Sequence, residues 1–232
     1  MPSQIQEAAE HSELVIFVGA GCSCLLGYPN WETYSDEVLS QISDGSVPVS
    51  LKKLNPRVKL SIAFEMARNN KKTVNYEKIL PVKNDEDTST KRKRLNNAFL
   101  KLANLFVTTN YDRELDSMFQ RRGAKREFLD DNGRNVTEQS PAKIIRTPSE
   151  CLFSSLSYKG NVVLHIHGSI DKPEAMVQTL RDYIYLYYVK TTEEVNSSRN
   201  EITYFLEQLF NSHITVLFLG YSLDEIEILE YI

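Results

Sequence analysis

Cysteine is scarce in this chain of 232 residues: Cys22, Cys24 and Cys151 are the three present, and none forms a CxxC pair. An odd count without paired spacing argues against a disulfide framework and against a four-cysteine zinc site, and it reads as a reduced, cytosolic protein. Long apolar runs are missing as well. None approaches the roughly 18 residues of a membrane span, and the opening MPSQIQEAAEHSE is too polar for a secretory signal. Nor is there an excess of basic charge. Lys and Arg number 27 against 31 Asp and Glu, and the net charge of −4 argues against a chain built mainly to grip nucleic acid. No internal repeat or low-complexity tract is visible. What is present is ordinary for a globular protein, with 41% hydrophobic and 25% charged residues and enough chain for one large domain spanning 1–232.

Short apolar runs alternate with helical patterns. LVIFVG (14–19), LFVTTNYD (105–112), NVVLHIHGS (161–169) and TVLFLGYSLDE (215–225) have the β-branched, apolar character of buried strands, each running into a polar turn. Between them, WETYSDEVLSQI (31–42) places Trp31, Tyr34, Val38 and Ile42 on one helical face. Helices are also predicted over 57–70, 91–104 and 203–211. Strands separated by helices imply an α/β fold with a doubly wound, Rossmann-like parallel sheet. Residues 44–56 and 71–90 read as excursions within a helical insertion between the first two strands, and 123–150 as a polar surface insertion. The hydrophobic stripes at 183–189 and 204–210 read as core, with some tyrosines available to a sister subunit. The last residues, DEIEILEYI, read as an unfinished helix, so the expectation is the N-terminal part of a longer protein.

Polar clusters fall at the predicted carboxyl ends of the strands: Gly19-Ala20-Gly21, Thr108-Thr109-Asn110-Tyr111-Asp112, His165-Ile166-His167-Gly168 and Gly220-Tyr221-Ser222. In an open parallel sheet those ends share one ligand crevice. The glycine turn is neither a P-loop nor a full GxGxxG fingerprint, because Cys24 stands where the third glycine would fall. It lets backbone amides approach a diphosphate, a plain strand-to-helix turn being the alternative. Strand alternation puts His165 and His167 on one face. That pair suits metal ligation only with a third ligand, which the spacing does not supply; structural histidines are the alternative. His167, at the strand end, is placed to act as a base near neutral pH. Asn110 can orient a water or a ribose hydroxyl but cannot itself transfer protons.

GAGCSCLLGYPNW, TTNYD, LHIHGS and LFLGYSL stand in the order and at roughly the spacing of the sirtuin (Sir2) NAD-binding fold. Together with VQTLRDYIYLY they resemble the Sir2-like branch at the N-terminus of bacterial anti-phage defence proteins. The resemblance runs from about 14 to 229. It implies that Gly19, Ala20, Gly21 and Ser23 hold the NAD diphosphate, and that Gly27-Pro29-Trp31 forms the mobile cofactor loop. Asn110 and Asp112 are then expected at the nicotinamide ribose and carboxamide, Thr109 among the cofactor-binding residues, Gly220 and Ser222 near the adenine-side ribose, and His167 as catalytic base. Tyr221 replaces the family threonine.

The departures narrow the activity. Deacylating sirtuins carry a zinc module of paired CxxC motifs, and this chain has none, so no metal and no acyl-lysine cleft are expected. The resemblance therefore implies an NAD+ hydrolase that releases nicotinamide and ADP-ribose, depleting NAD in abortive infection. A homo-oligomer and a downstream sensor domain or partner subunit are the implied partners. A protein deacylase or ADP-ribosyltransferase and a non-catalytic NAD or ADP-ribose sensor are the alternatives. Direct nucleic-acid binding has only KRKR (91–94) and Lys71-Lys72 behind it, and basic runs at helix starts usually face solvent.

Overall fold

The computed structural model describes residues 2–45, 47–120, 125–129, 135–139, 142–152, 154–155, 160–188, 201–223 and 225–232, with backbone alone for 120, 125–129 and 135–139. In chain order, α1 (Ser3–Glu10) leads into β1 (Leu14–Val18), α2 (Ala20–Cys24), α3 (Trp31–Ile42), α4 (Val49–Lys52), α5 (Pro56–Asn70), α6 (Tyr76–Ile79) and α7 (Glu86–Leu102). There follow β2 (Leu105–Thr108), α8 (Glu114–Gln120), the strands β3 (Lys125–Leu129), β4 (Asn135–Gln139) and β5 (Lys143–Ile145), and then β6 (Val162–His165). The described chain closes with α9 (Leu180–Tyr187), α10 (Glu201–Asn211), β7 (Thr215–Leu219) and α11 (Ile226–Leu229).

Five strands form one all-parallel sheet in the order β5-β6-β2-β1-β7. Alternation along β1 explains why every residue there is apolar. Val15 and Phe17 point to a core with Phe205, Leu206 and Leu209 of α10 and Tyr183 and Tyr187 of α9. Leu14, Ile16 and Val18 point to the opposite core, with Ala8 of α1, Phe99 of α7 and Leu115 and Met118 of α8. A strand covered on both faces has no solvent-facing side for polar residues.

The insertion between β1 and β2 builds its own core, in which Tyr34, Val38 and Leu39 of α3 meet Leu60 and Ala63 of α5 and Ile79 of α6. Its helices start where side chains satisfy the free N–H groups. Asn30 accepts from Thr33, Asn55 from Arg57 with Pro56 in the first turn, and Asp85 from Thr88. Lys59 is fully buried between α5 and α3 and pairs with Glu32 and with Asp36 at 2.7 Å.

Several expectations change. Residues 123–150 are not all surface insertion: Lys143–Ile145 is an edge strand of the main sheet, paired with β6, and β3 and β4 form a separate antiparallel pair. A three-residue strand is too short to show a period of two in sequence. The 91–104 helix begins earlier, at Glu86, because Asp85 caps it. In KRKR, Arg92 is buried in a bidentate pair with Glu114, so this run is not a simple basic face. The 183–189 stripe divides: Tyr183 and Tyr187 are core, Ile184, Tyr185 and Tyr188 are exposed, and Val189 lies outside the described residues. Among the described residues no helix is long and apolar enough to cross a membrane.

Candidate functional site

The strand order reverses beside β1. The chain steps from β1 to β2 and β6, then returns through α9 and α10 to place β7 on the other edge of β1. Ligand crevices form at such switch points, outside the carboxyl ends of the strands. Here the two ends touch. The Gly19 amide donates to Leu219 at 2.9 Å and the Gly21 amide to Gly220 at 2.8 Å. A Cβ on Gly19 would stand 2.5 Å from the Gly220 carbonyl oxygen. Gly220, at φ +63, would bring a Cβ within 2.4 Å of the Cys22 nitrogen. These glycines let the ends of β1 and β7 meet. The amides of Gly19 and Gly21 are engaged there, while Ala20 N–H has no hydrogen-bond partner among the described residues.

Above these ends, roofed by α3 and α5, lies a cavity of about 770 Å³, within the range of small-molecule sites. Ala20, Gly21 and Ser23 line it from the first turn, Thr109, Asn110 and Asp112 from the turn after β2, His167 from the turn after β6, and Gly220 and Ser222 from the turn after β7. Gly19 lies behind this wall with its carbonyl accepting from Asn110. The residues picked out in sequence are thus brought to one place.

Asn110 is held on three sides. Its Nδ2 donates to the Gly19 carbonyl and to Ser23 Oγ, each at 3.0 Å, and its backbone N–H donates to Thr108 Oγ1. With both amide hydrogens engaged, Oδ1 is the polar atom left for a ligand. Ser23 Oγ in turn donates to Asp112 at 2.7 Å. Burial pushes the Asp112 carboxyl up, opposed by Ser23 and the Glu114 amide. Cys24 also lines the cavity; burial, then the Asp112 charge, raises its thiol, which stays protonated at neutral pH.

The two histidines part company, against the expectation of a shared face. β6 ends at His165, and a turn closed by Gly168 N–H on the His165 carbonyl, with Gly168 at φ +83, redirects His167. His165 stays under the sheet, with Nδ1 on the Asn110 carbonyl at 3.0 Å and Nε2 on Asp116 at 2.8 Å. Both partners are acceptors, so both ring nitrogens carry hydrogen. Burial lowers the pKa of His165, but the bond and charge of Asp116 outweigh it and the net direction is up. His165 is a strut for the Asn110 turn. His167 instead rests Nε2 on the Tyr187 hydroxyl at 2.6 Å, edge-on to Tyr183. Burial lowers its pKa and Arg57 adds to that, against Glu225, so the ring is neutral at pH 7.

Sequence reasoning missed part of the wall. Arg57 of α5 sits 3.7 Å over the Tyr183 ring and binds Glu227 through two bonds of 2.6 and 3.1 Å. Glu225 accepts from Tyr183 at 3.2 Å and Tyr221 at 2.8 Å. No local motif marks either residue. The Gly27–Trp31 loop is pinned, since buried Tyr28 donates to Glu114 at 2.9 Å and Trp31 stacks on Tyr34 with centroids 5.5 Å apart.

Among curated proteins no sequence matches this chain. Comparison with protein families matches residues 104–232 to the SIR2-like domain. The matched span begins one residue before β2 and takes in Asn110, Asp112, His167 and Gly220, while the Gly19–Ser23 turn precedes it. Function in this family involves NAD, which agrees with a crevice at the switch point of a parallel sheet. The chain belongs to the SIR2-like family.

Proposed function

We propose that the chain is an NAD+ hydrolase that cleaves the nicotinamide–ribose bond to give nicotinamide and ADP-ribose. One observation carries the reading: Asn110, with only Oδ1 left to a ligand, and a neutral His167 line the same cavity. The bond to be broken joins a pyridine, which leaves neutral, to a sugar that gains positive charge. The protein must orient the ribose, stabilise that charge and deliver water. Asn110 Oδ1 accepts a hydrogen bond from a ribose hydroxyl or from the attacking water. His167 takes the proton that water loses as its oxygen bonds to the sugar carbon. Asp112 and Glu225 line the same space with carboxyl groups.

The fit is better at the ribose and nicotinamide end than at the diphosphate. Two of the three glycine-turn amides are engaged with β7, and Ser23 donates to Asp112. Ala20 N–H and Ser222 are the groups with room for that part of the molecule. Depletion of NAD in phage defence, with assembly or a sensor domain restraining the activity, is the setting we propose from the likeness to defence proteins.

The test is NAD turnover by the purified chain, with products separated chromatographically. Nicotinamide and ADP-ribose are expected, and Asn110→Ala and His167→Ala each lower kcat by about 100-fold or more, the usual worth of a positioned base or orienting group. Tight NAD binding with no nicotinamide release from the assembled protein overturns the hydrolase and favours a sensor.

A further inference from the structure

His167 keeps Nε2 on the Tyr187 hydroxyl at 2.6 Å, and Tyr187 belongs to the core between sheet and α9. Its Nδ1 edge faces Tyr183 and Glu225, which both line the cavity. Glu225 Oε1 stands 4.0 Å from Nδ1. The carboxylate does not hang free. Oε1 accepts from the Tyr183 hydroxyl and Oε2 from the Tyr221 hydroxyl, so donors from α9 and from the turn after β7 fix it in place. When Nε2–H donates to Tyr187 and the Tyr183 hydroxyl, 3.5 Å from Nδ1, gives its hydrogen to Glu225, Nδ1 keeps a lone pair that can take a proton. Once it takes one, an N–H cation faces a fixed anion at 4.0 Å, a separation at which an opposite charge favours the protonated form.

We propose that Glu225 is a positioning residue for His167, the counter-charge of the imidazolium that forms when Nδ1 accepts the proton of the attacking water. In that step a water O–H bond breaks and an N–H bond forms on His167. The proton later leaves to solvent. The role in turnover rests on the hydrolase reading; the charge coupling does not. Among the described residues, the other groups acting on His167 are Tyr183 and Tyr187 of α9, Glu227 of α11 and Arg57 of α5, while Tyr221 reaches it through Glu225. Arg57, held by Glu227 over the Tyr183 ring, is the opposing charge. His167 therefore sits between a carboxylate that favours its proton and a guanidinium that disfavours it.

The experiment follows the His167 ring by NMR titration of the full chain with isotope-labelled histidine, without NAD, the signal being assigned by its loss in His167→Gln. Glu225→Gln removes the charge while keeping the side chain's shape and one acceptor oxygen, and lowers the midpoint by about one pH unit. Glu225→Asp keeps the charge and stays near the native midpoint. Arg57→Gln moves it upward. An unchanged or raised midpoint in Glu225→Gln overturns the proposal, as does a shift of equal size in Glu225→Asp. The acid limb of NAD cleavage should fall in Glu225→Gln in parallel with the ring. Nicotinamide release with that limb unmoved overturns the role in turnover and keeps the hydrolase. The ring shift without nicotinamide release supports the coupling and overturns the hydrolase.

Discussion

At the scale of single residues, two histidines stand in opposite electrostatic surroundings. His165 and His167 are two positions apart, yet one is driven toward its charged form by Asp116 and the other away from it by burial. A base works only when unprotonated. Turnover should therefore fall with acid along a limb whose midpoint lies below the ordinary histidine value of 6.5, and be flat through neutrality. A kcat/KM profile from pH 4.5 to 8 checks this, and a midpoint above 6.5 would remove His167 from the role. Asn110 and His167 were legible in the sequence because each stands at the end of an apolar run, where a parallel sheet opens its crevice. Arg57 and Glu225 were not. Each comes to the site by tertiary packing, α5 folding over the sheet ends and the β7 turn reaching back, and neither segment has a spacing that encodes this.

At the scale of elements, the first glycine turn joins two strand ends as well as lining the cavity. Gly19 and Gly21 bring β1 against the end of β7, and their amides follow that contact. A glycine-rich strand end signals close backbone approach, but whether the approaching backbone is a ligand's or the protein's own is not written in the motif. The same holds for KRKR, where one of four basic residues turns inward. Arg92 joins α7 to α8 through Glu114, which also receives Tyr28 from the loop before α3. Arg92→Met leaves the Glu114 carboxylate buried without its cation, and a loss of about 3–5 kcal/mol is expected. Urea unfolding measures it. A loss within 1 kcal/mol would show that this junction does not hold the loop. Strand β5 illustrates the opposite limit: KII is too short to be seen as a strand, and only its pairing with β6 makes it one.

At the scale of the whole molecule, β6, α8 and the chain after β5 meet in a joint, the His165–Asp116–Arg146 cluster beneath the Asn110 turn. Its two titrating groups give the fold a defined pH window. His165 has a folded pKa above 6.5, so its contribution is complete below 6.5 and disappears as pH rises through the folded value. For Asp116 the direction is reversed. Burial raises its pKa but the bond and charge of His165 outweigh that, so its contribution is present above 3.8 and is lost as pH falls through the depressed folded value. Thermal unfolding should show stability declining on the alkaline side of 6.5, and His165→Gln, less stable throughout, should lack that decline. A native curve flat to pH 9 would contradict the charged pair. The parallel sheet and helical insertion were legible from the alternation of apolar runs and amphipathic segments. The joint was not, because it unites β6, α8 and the chain after β5 through polar side chains that no periodicity selects.

The most direct test of the account is cleavage of NAD in ¹⁸O-labelled water, with the products weighed by mass spectrometry. The account predicts nicotinamide together with ADP-ribose carrying one labelled oxygen, formed by the native chain and lost in Asn110→Ala and His167→Ala. Nucleotide that remains bound and intact, or a product without the label, would contradict it.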